Sequence, residues 1–474
     1  MSLTKFVGLL AGSTLTLTGV SYAAVEGNND TATQISELKA EIAALKGNQG
    51  EQWLTEQRAD QIRGVVQDVL ADSNTRSSFQ QAGGATAGYN NGFFISSADG
   101  NYSLKINALE QVRFVWNNTY QDTKDQNTWG FENRRTQAFF SGNVVDPSWK
   151  YLVGIAYDSQ SDPYVSNGTK SSTTVTQDPE NLEVTSTTTT SAGDPAFNLY
   201  YAMVTKTFGD GFSVSVGQMN VPFTVESNLF NAGSTQMGDY SIFEYMFGAG
   251  QQVGAMAKIE KDAFRVSGGW YNMVQTNASG TVGQSWNNDN NQSIAVAGRA
   301  EYKVAGTWDQ FSKESSFKGE EFGLLIGGGL IWQNGREQND ASFESNPLGL
   351  TADAQAKFGG FNLIGQFLWQ DGYPGEDSSS SVWGFNVQGG AFVTEDLEVF
   401  GAWAYADTSV TTNYLQTGAN WYFAKNSIKA TVMGIIPLNS DAANAGNLRG
   451  FEGGVGLADS QNNFSLVCQL QVMF

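Results

Sequence analysis

Residues 102–116 read YSLKINALEQVRFVW. The even positions are Tyr102, Leu104, Ile106, Ala108, Glu110, Val112, Phe114 and Trp116, and the odd ones Ser103, Lys105, Asn107, Leu109, Gln111, Arg113 and Val115. An apolar period of two puts one oily and one wet face on a strand. The same alternation returns at about 131–145, 149–157, 197–208, 212–219, 251–260, 263–274, 292–304, 321–333, 350–358, 361–370, 380–393, 397–407, 413–423, 427–436 and 461–474. Sixteen such segments of roughly ten residues each predict a closed antiparallel transmembrane barrel. In lipid an open sheet edge would leave backbone groups unpaired, and bacterial barrels of this type use an even strand number.

The connections support this all-β reading. Links after odd-numbered strands are long, for example about 117–130, 158–196, 220–250 and 437–460. Links after even-numbered strands are mostly tight, such as Asp146-Pro147-Ser148, Gly209-Asp210-Gly211 and Gly359-Gly360. Short periplasmic turns and long extracellular loops give this asymmetry. One link breaks it: AGTWDQFSKESSFKGE at 305–320 is long where a turn is predicted, so it is either an extended periplasmic connection or a strand miscounted. Trp116, Trp129, Trp332 and Trp403 fall near long-loop ends, and Trp149, Phe208, Phe212 and Trp421 near short-turn ends, as interfacial girdles require. The chain closes on Phe464, Leu466, Cys468, Leu470, Val472 and Phe474, alternating apolar positions that resemble the insertion signal of outer-membrane barrels and put Cys468 on the lipid face.

Composition narrows the function. Charged residues make up only 15% of the 474, which suits a surface facing lipid rather than water. Acids outnumber bases 47 to 26, arguing against a nucleic-acid partner. With no histidine and one cysteine, imidazole-based catalysis, histidine zinc sites and an intrachain disulfide are all excluded. The protein is therefore expected not to be an enzyme and to need no cofactor or metal.

The N-terminus divides differently. Residues 1–23 carry Lys5, an apolar stretch and a Ser21-Tyr22-Ala23 end, the form of a secretory signal peptide. Residues 31–72 form a helical segment in the periplasm, with Ile35, Leu38, Ile42 and Leu45 in a coiled-coil pattern that predicts parallel self-association. Residues 73–101 are a Gly/Ala/Asn-rich linker and plug-like lead-in, and 102–474 the barrel.

Three stretches, GFFISSADGNYSLKINALEQVRF, FENRRTQAFFSGNVVDPSWKYLVG and YAMVTKTFGDGFSVSVGQMNVPFTVES, resemble the phosphate-selective porin O/P family in its coiled-coil-bearing form. The likeness covers about 90–474. It implies a sixteen-stranded homotrimeric porin in the outer membrane, a third extracellular loop folded inward as a constriction, and anion transport.

The residues of that loop point elsewhere. Asn220–Gly250 contains Glu226, Asp239 and Glu244 and neither Lys nor Arg, whereas a phosphate filter needs fixed positive charge. Cations fall on the wet faces of strands instead: Arg113, Arg134 or Arg135 (the register leaves this open), Arg265, Arg299 and Lys303, with Lys105 and Lys429. Neutral amides, Asn362, Gln366, Gln370, Asn386, Gln388, Gln416, Asn420, Gln469 and Gln471, complete the wall. An acidic constriction opposite a basic wall predicts a water-filled channel for passive diffusion of small hydrophilic solutes and ions, weakly preferring cations. The alternatives are a phosphate-selective anion porin, and a structural protein tethering the outer membrane to peptidoglycan or cell wall through its coiled coil.

Overall fold

The computed structural model describes residues 36–40, 84–121, 124–158, 170–177, 184–191, 197–229, 231–272, 294–334, 347–371, 381–407, 411–439 and 464–474. The chain divides into two units, Met1–Ala82 and Gly83–Phe474. In the first, residues 36–40 are helical; the signal peptide and the rest of the predicted coiled coil lie outside the described residues.

The second unit opens with a hairpin, β1 (Thr86–Tyr89) and β2 (Phe93–Ser96), where the sequence reads as linker. Sixteen barrel strands alternate with turns and loops from there. They are β3 (Ser103–Gln121), β4 (Lys124–Val144), β5 (Asp146–Asp158), β8 (Phe197–Thr207), β9 (Phe212–Asn220), β10 (Gln251–Glu260), β11 (Phe264–Tyr271), β12 (Ile294–Ala305), β13 (Gly323–Asn334), β14 (Leu348–Lys357), β15 (Phe361–Asp371), β16 (Ser381–Phe392), β17 (Leu397–Asp407), β18 (Thr411–Tyr422), β19 (Ile428–Pro437) and β20 (Phe464–Met473). Between β5 and β8 lies a separate two-stranded ribbon, β6 (Lys170–Gln177) with β7 (Val184–Ser191). Each barrel strand pairs antiparallel with its neighbours, and β20 pairs with β3 from Phe464↔Asn118 to Met473↔Leu109, closing the sheet. The barrel is therefore all-β, antiparallel and sixteen-stranded.

Alternation survives in the burial. Along β15 the pattern is strict: Phe361, Leu363 and Phe367 are exposed outward, while Asn362, Ile364, Gln366 and Leu368 are buried inward. A barrel in lipid inverts the soluble rule in this way, because its outer surface needs apolar side chains and its interior can hold amides.

Two connections depart from expectation. The first long link, predicted over 117–130, is instead taken up by strand: β3 and β4 continue as paired strands to Gln121↔Lys124. The anomalous link after β12 is a single connection, residues 306–322, and it hides no strand pair. Its middle, Gln310 to Phe317, is largely buried, and we call it the inner link. The loop between β9 and β10, residues 221–250, is buried almost throughout and carries a short helix, α1 (Ile242–Phe247); it is termed L3 below.

Candidate functional site

The site begins with a break in strand register. Gln111 on β3 faces Arg135 on β4, but Val112 faces Asn133, so Arg134 is an extra residue in the ladder. A bulge of this kind re-aims side chains. Both Arg134 and Arg135 are fully buried, and both reach Asp239 of L3, which settles the register that the sequence left open: the two arginines act together. Arg134 Nε lies 2.9 Å from Asp239 Oδ2, Arg135 Nη2 2.8 Å from Oδ1, and Arg113 Nη1 3.2 Å from Oδ2. Arg113 also pairs with Glu132. The Tyr245 hydroxyl donates to Asp239 Oδ1 at 2.6 Å, and Arg135 stacks over the Tyr240 ring at 5.4 Å. Burial alone would push the Asp239 carboxyl up; Arg134, Arg135 and Arg113 overcome it and hold the group far below the usual carboxylate range.

Glu226 and Glu244 sit in the same loop but do different work. Glu226 accepts from the backbone N–H of Ser241 at 2.8 Å and from its hydroxyl, and Gln366 Nε2 approaches at 3.4 Å. Ser241 in turn caps α1, accepting from the Glu244 N–H at 3.1 Å. Glu226 thus ties the start of L3 to the start of its helix. Burial, with Glu314 and Glu244 nearby, raises the Glu226 carboxyl well above its ordinary value. Of the three predicted acids, Asp239 meets three of the predicted arginines, and all three acids are buried.

The remaining predicted cations form a second group on β11 and β12. Arg299 grips Asp353 with both terminal nitrogens at 2.7 Å, contacts Glu301 at 3.1 Å and donates to the Phe223 carbonyl of L3 at 3.1 Å. Arg265 pairs with Glu301 at 2.5 Å, and Lys303 reaches Asp262 at 3.5 Å. Trp308 of the inner link lies beneath both, its ring centroid 4.6 Å from Arg265 and 5.2 Å from Lys303.

L3 leaves the wall at β9 and β10 and crosses the barrel interior to the opposite wall. It lies against β13–β20 and β3–β4, and wall glycines admit it: a Cβ at Gly329 would collide with the Phe223 carbonyl, and one at Gly390 with Gln236. The wall amides, expected to line water, are covered and hold the loop. Gln469 and Gln471 donate to the carbonyls of Gly238 and Gly233 at 2.7 and 3.0 Å, and Asn420 to that of Gln236 at 2.7 Å. Lys429 is likewise buried, donating to the Thr235 carbonyl at 2.7 Å. The wall of β5–β12 retains exposure at inward positions: Lys150 is exposed, and Thr205, Met256, Lys258, Arg265, Ser267 and Lys303 are part-exposed; Lys105, at the short-turn end of β3, is part-exposed as well.

Sequence reasoning missed Gln236, Tyr245, Lys357 and Glu398. Glu398 is buried on β17, accepting from Gln236 at 2.6 Å and from the Tyr422 hydroxyl at 2.6 Å. Its inward register was legible, since the apolar Leu397 and Val399 flank it on a strand; its partners come from segments distant in sequence.

A model of a known family, phosphate-selective porin O and P, matches residues 117–322. Over those residues the chain is similar to the phosphate-selective porin O and P family. The match takes in the bulge arginines, L3 and the whole inner link, and the barrel is one of the outer membrane. Similar solved structures include an anion-selective porin from Comamonas acidovorans (12% identity, 79% of this chain and 100% of that one, TM-score 0.49). Others are OmpF of Salmonella typhi in complex with daunomycin (12%, 82% and 100%, 0.48) and the outer membrane channel DcaP of Acinetobacter baumannii (10%, 82% and 100%, 0.45). No curated protein matches the porin's sequence.

Proposed function

We propose that this porin is a water-filled channel for passive diffusion of small hydrophilic solutes and ions, with a preference for anions. The observation that carries the sign is the state of Asp239: three arginines surround it, so the acidic loop presents no net negative face. The inward positions that keep exposure include Lys105, Lys150, Lys258, Arg265 and Lys303. A wall with more cations than anions lowers the barrier for anion entry. This reverses the cation preference drawn from loop composition alone, and the matched family's name supports the same direction.

The assembly we propose is a homotrimer. Glu110 lies on the outer face of β3, where Thr136 Oγ1 donates to it at 2.7 Å and Asn133 Nδ2 donates to Thr136 at 2.9 Å. Lipid tails offer such a carboxylate no donor, whereas a neighbouring barrel would. In planar bilayers across a potassium chloride gradient, conductance steps in threes with a chloride-directed reversal potential are expected. A potassium-directed potential would restore the acidic-loop reading, and absence of conductance would leave the tethering role.

A further inference from the structure

We propose that the inner link, residues 306–322, is a second constriction element of the pore. It closes the β14–β18 sector from the short-turn end, so that solutes are confined to the sector walled by β5–β12. The inference goes beyond the channel reading, on which it rests, by locating the solute path.

The link crosses from β12 and β13 to distant strands and meets L3. The Glu314 N–H donates to the Ser234 carbonyl at 3.1 Å, and the Glu314 carboxylate accepts from the Gln236 N–H at 2.6 Å. Ser315 donates to Glu398 at 3.0 Å and lies 2.8 Å from the Tyr422 hydroxyl. Phe317 packs edge-on against Tyr422 at 5.1 Å and against Phe392 at 5.3 Å. Lys357, buried at the end of β14, donates to the carbonyls of Lys313, Glu314 and Ser315 at 2.5, 2.8 and 3.1 Å. One ammonium therefore satisfies three successive carbonyls, which holds the link in a single path. L3 from one end and the link from the other meet at Gln236 and Glu314.

The consequence is visible in the wall beneath. Gln388 and Phe392 on β16 point inward and are buried, Phe392 against Phe317 of the link; Glu398 is shared between Ser315 of the link and Gln236 of L3. Across the lumen, Thr205 on β8 and Ser267 on β11 point inward and are part-exposed. Trp308 extends the link's role into that open sector, where it floors Arg265 and Lys303.

The test is thiol accessibility in a Cys468→Ser background, with single Gln388→Cys, Phe392→Cys, Thr205→Cys and Ser267→Cys variants labelled by a membrane-impermeant methanethiosulfonate and read by mass. Cysteines at 205 and 267 are expected to label readily, and those at 388 and 392 on the order of tenfold more slowly, because they must wait for local opening. Equal labelling of all four overturns the proposal. In a second variant, with residues 309–319 replaced by a Gly-Asn turn, 388 and 392 should label at open-sector rates and single-channel conductance should rise. If that variant does not insert, the four labelling rates on the full-length link still decide. Mass labelling needs no current, so loss of the channel reading and loss of this one are distinguishable.

Discussion

Asp239 is where one atom's worth of charge has the largest reach. Asp239→Asn leaves Arg113, Arg134 and Arg135 without their shared anion in a buried place, and breaking one side of a buried ion pair costs about 3–5 kcal/mol. Thermal unfolding in detergent should fall accordingly, and the reversal potential of surviving channels should move further toward chloride; an unchanged potential would show that this cluster does not face the ions. The arginines were legible as wall cations, because their types and strand positions are local facts. That Arg134 and Arg135 both point inward was not, since an extra residue in a ladder is decided by the pairing of two strands rather than by either sequence.

At the scale of an element, L3 was legible in position and in its acids, but the roles of those acids were not. Glu226 and Glu244 look alike in sequence, but Ser241 meets the carboxylate of the first and only the backbone N–H of the second. Ser241→Ala removes the α1 cap and the hydroxyl partner of Glu226, leaving the backbone N–H, and a cap alone is worth about 1 kcal/mol; urea unfolding should show a loss of at least that size. Gly329→Ala sets a methyl group against the Phe223 carbonyl and should shift the loop off its wall, read as altered conductance with the barrel intact by heat-modified mobility. The inner link was visible in sequence only as an anomaly of length. Nothing local announces that its carbonyls meet Lys357, some forty residues on.

The link also gives the element a pH dependence. Burial raises the Glu314 carboxyl to about 7, against the restraint of the Gln236 N–H. Unfolded, the same group loses its proton near 4.5, so the folded state binds more protons between these values. Stability from this group is therefore full below about 4.5 and declines as pH rises toward 7. The melting temperature of the wild type should drop across that window more than that of Glu314→Gln; parallel curves would assign the dependence elsewhere.

For the whole molecule, the barrel was the most legible feature, because period-two alternation repeated sixteen times admits few other closed solutions. Strand ends were less so: β3 and β4 run past the expected loop since polar residues such as Asn117 and Thr128 can still pair across a ladder. The trimer makes its own prediction. Glu110→Leu should weaken subunit contacts if the carboxylate meets a neighbouring barrel, lowering the temperature at which trimers dissociate on a gel. Unchanged dissociation would place the carboxylate outside the contact.

The small hairpin ahead of the barrel bears on how such a sheet is finished. β20 stops with Phe474 bonded to Ala108 through both backbone groups, at 2.9 and 3.1 Å, and β2 takes up the same edge of β3 immediately beyond, from Phe93↔Ile106 to Ser96↔Ser103. The Phe93 and Phe474 rings meet edge to face at 5.5 Å. The closing seam joins residues more than three hundred apart, the slowest kind of contact to form. The β2–β3 pairing joins residues close in sequence and can form before that seam does, leaving an occupied lower edge with an aromatic marker at its rim. When β20 arrives, β2 already occupies the lower part of that edge, so the first hairpin limits how far β20 can slide along β3.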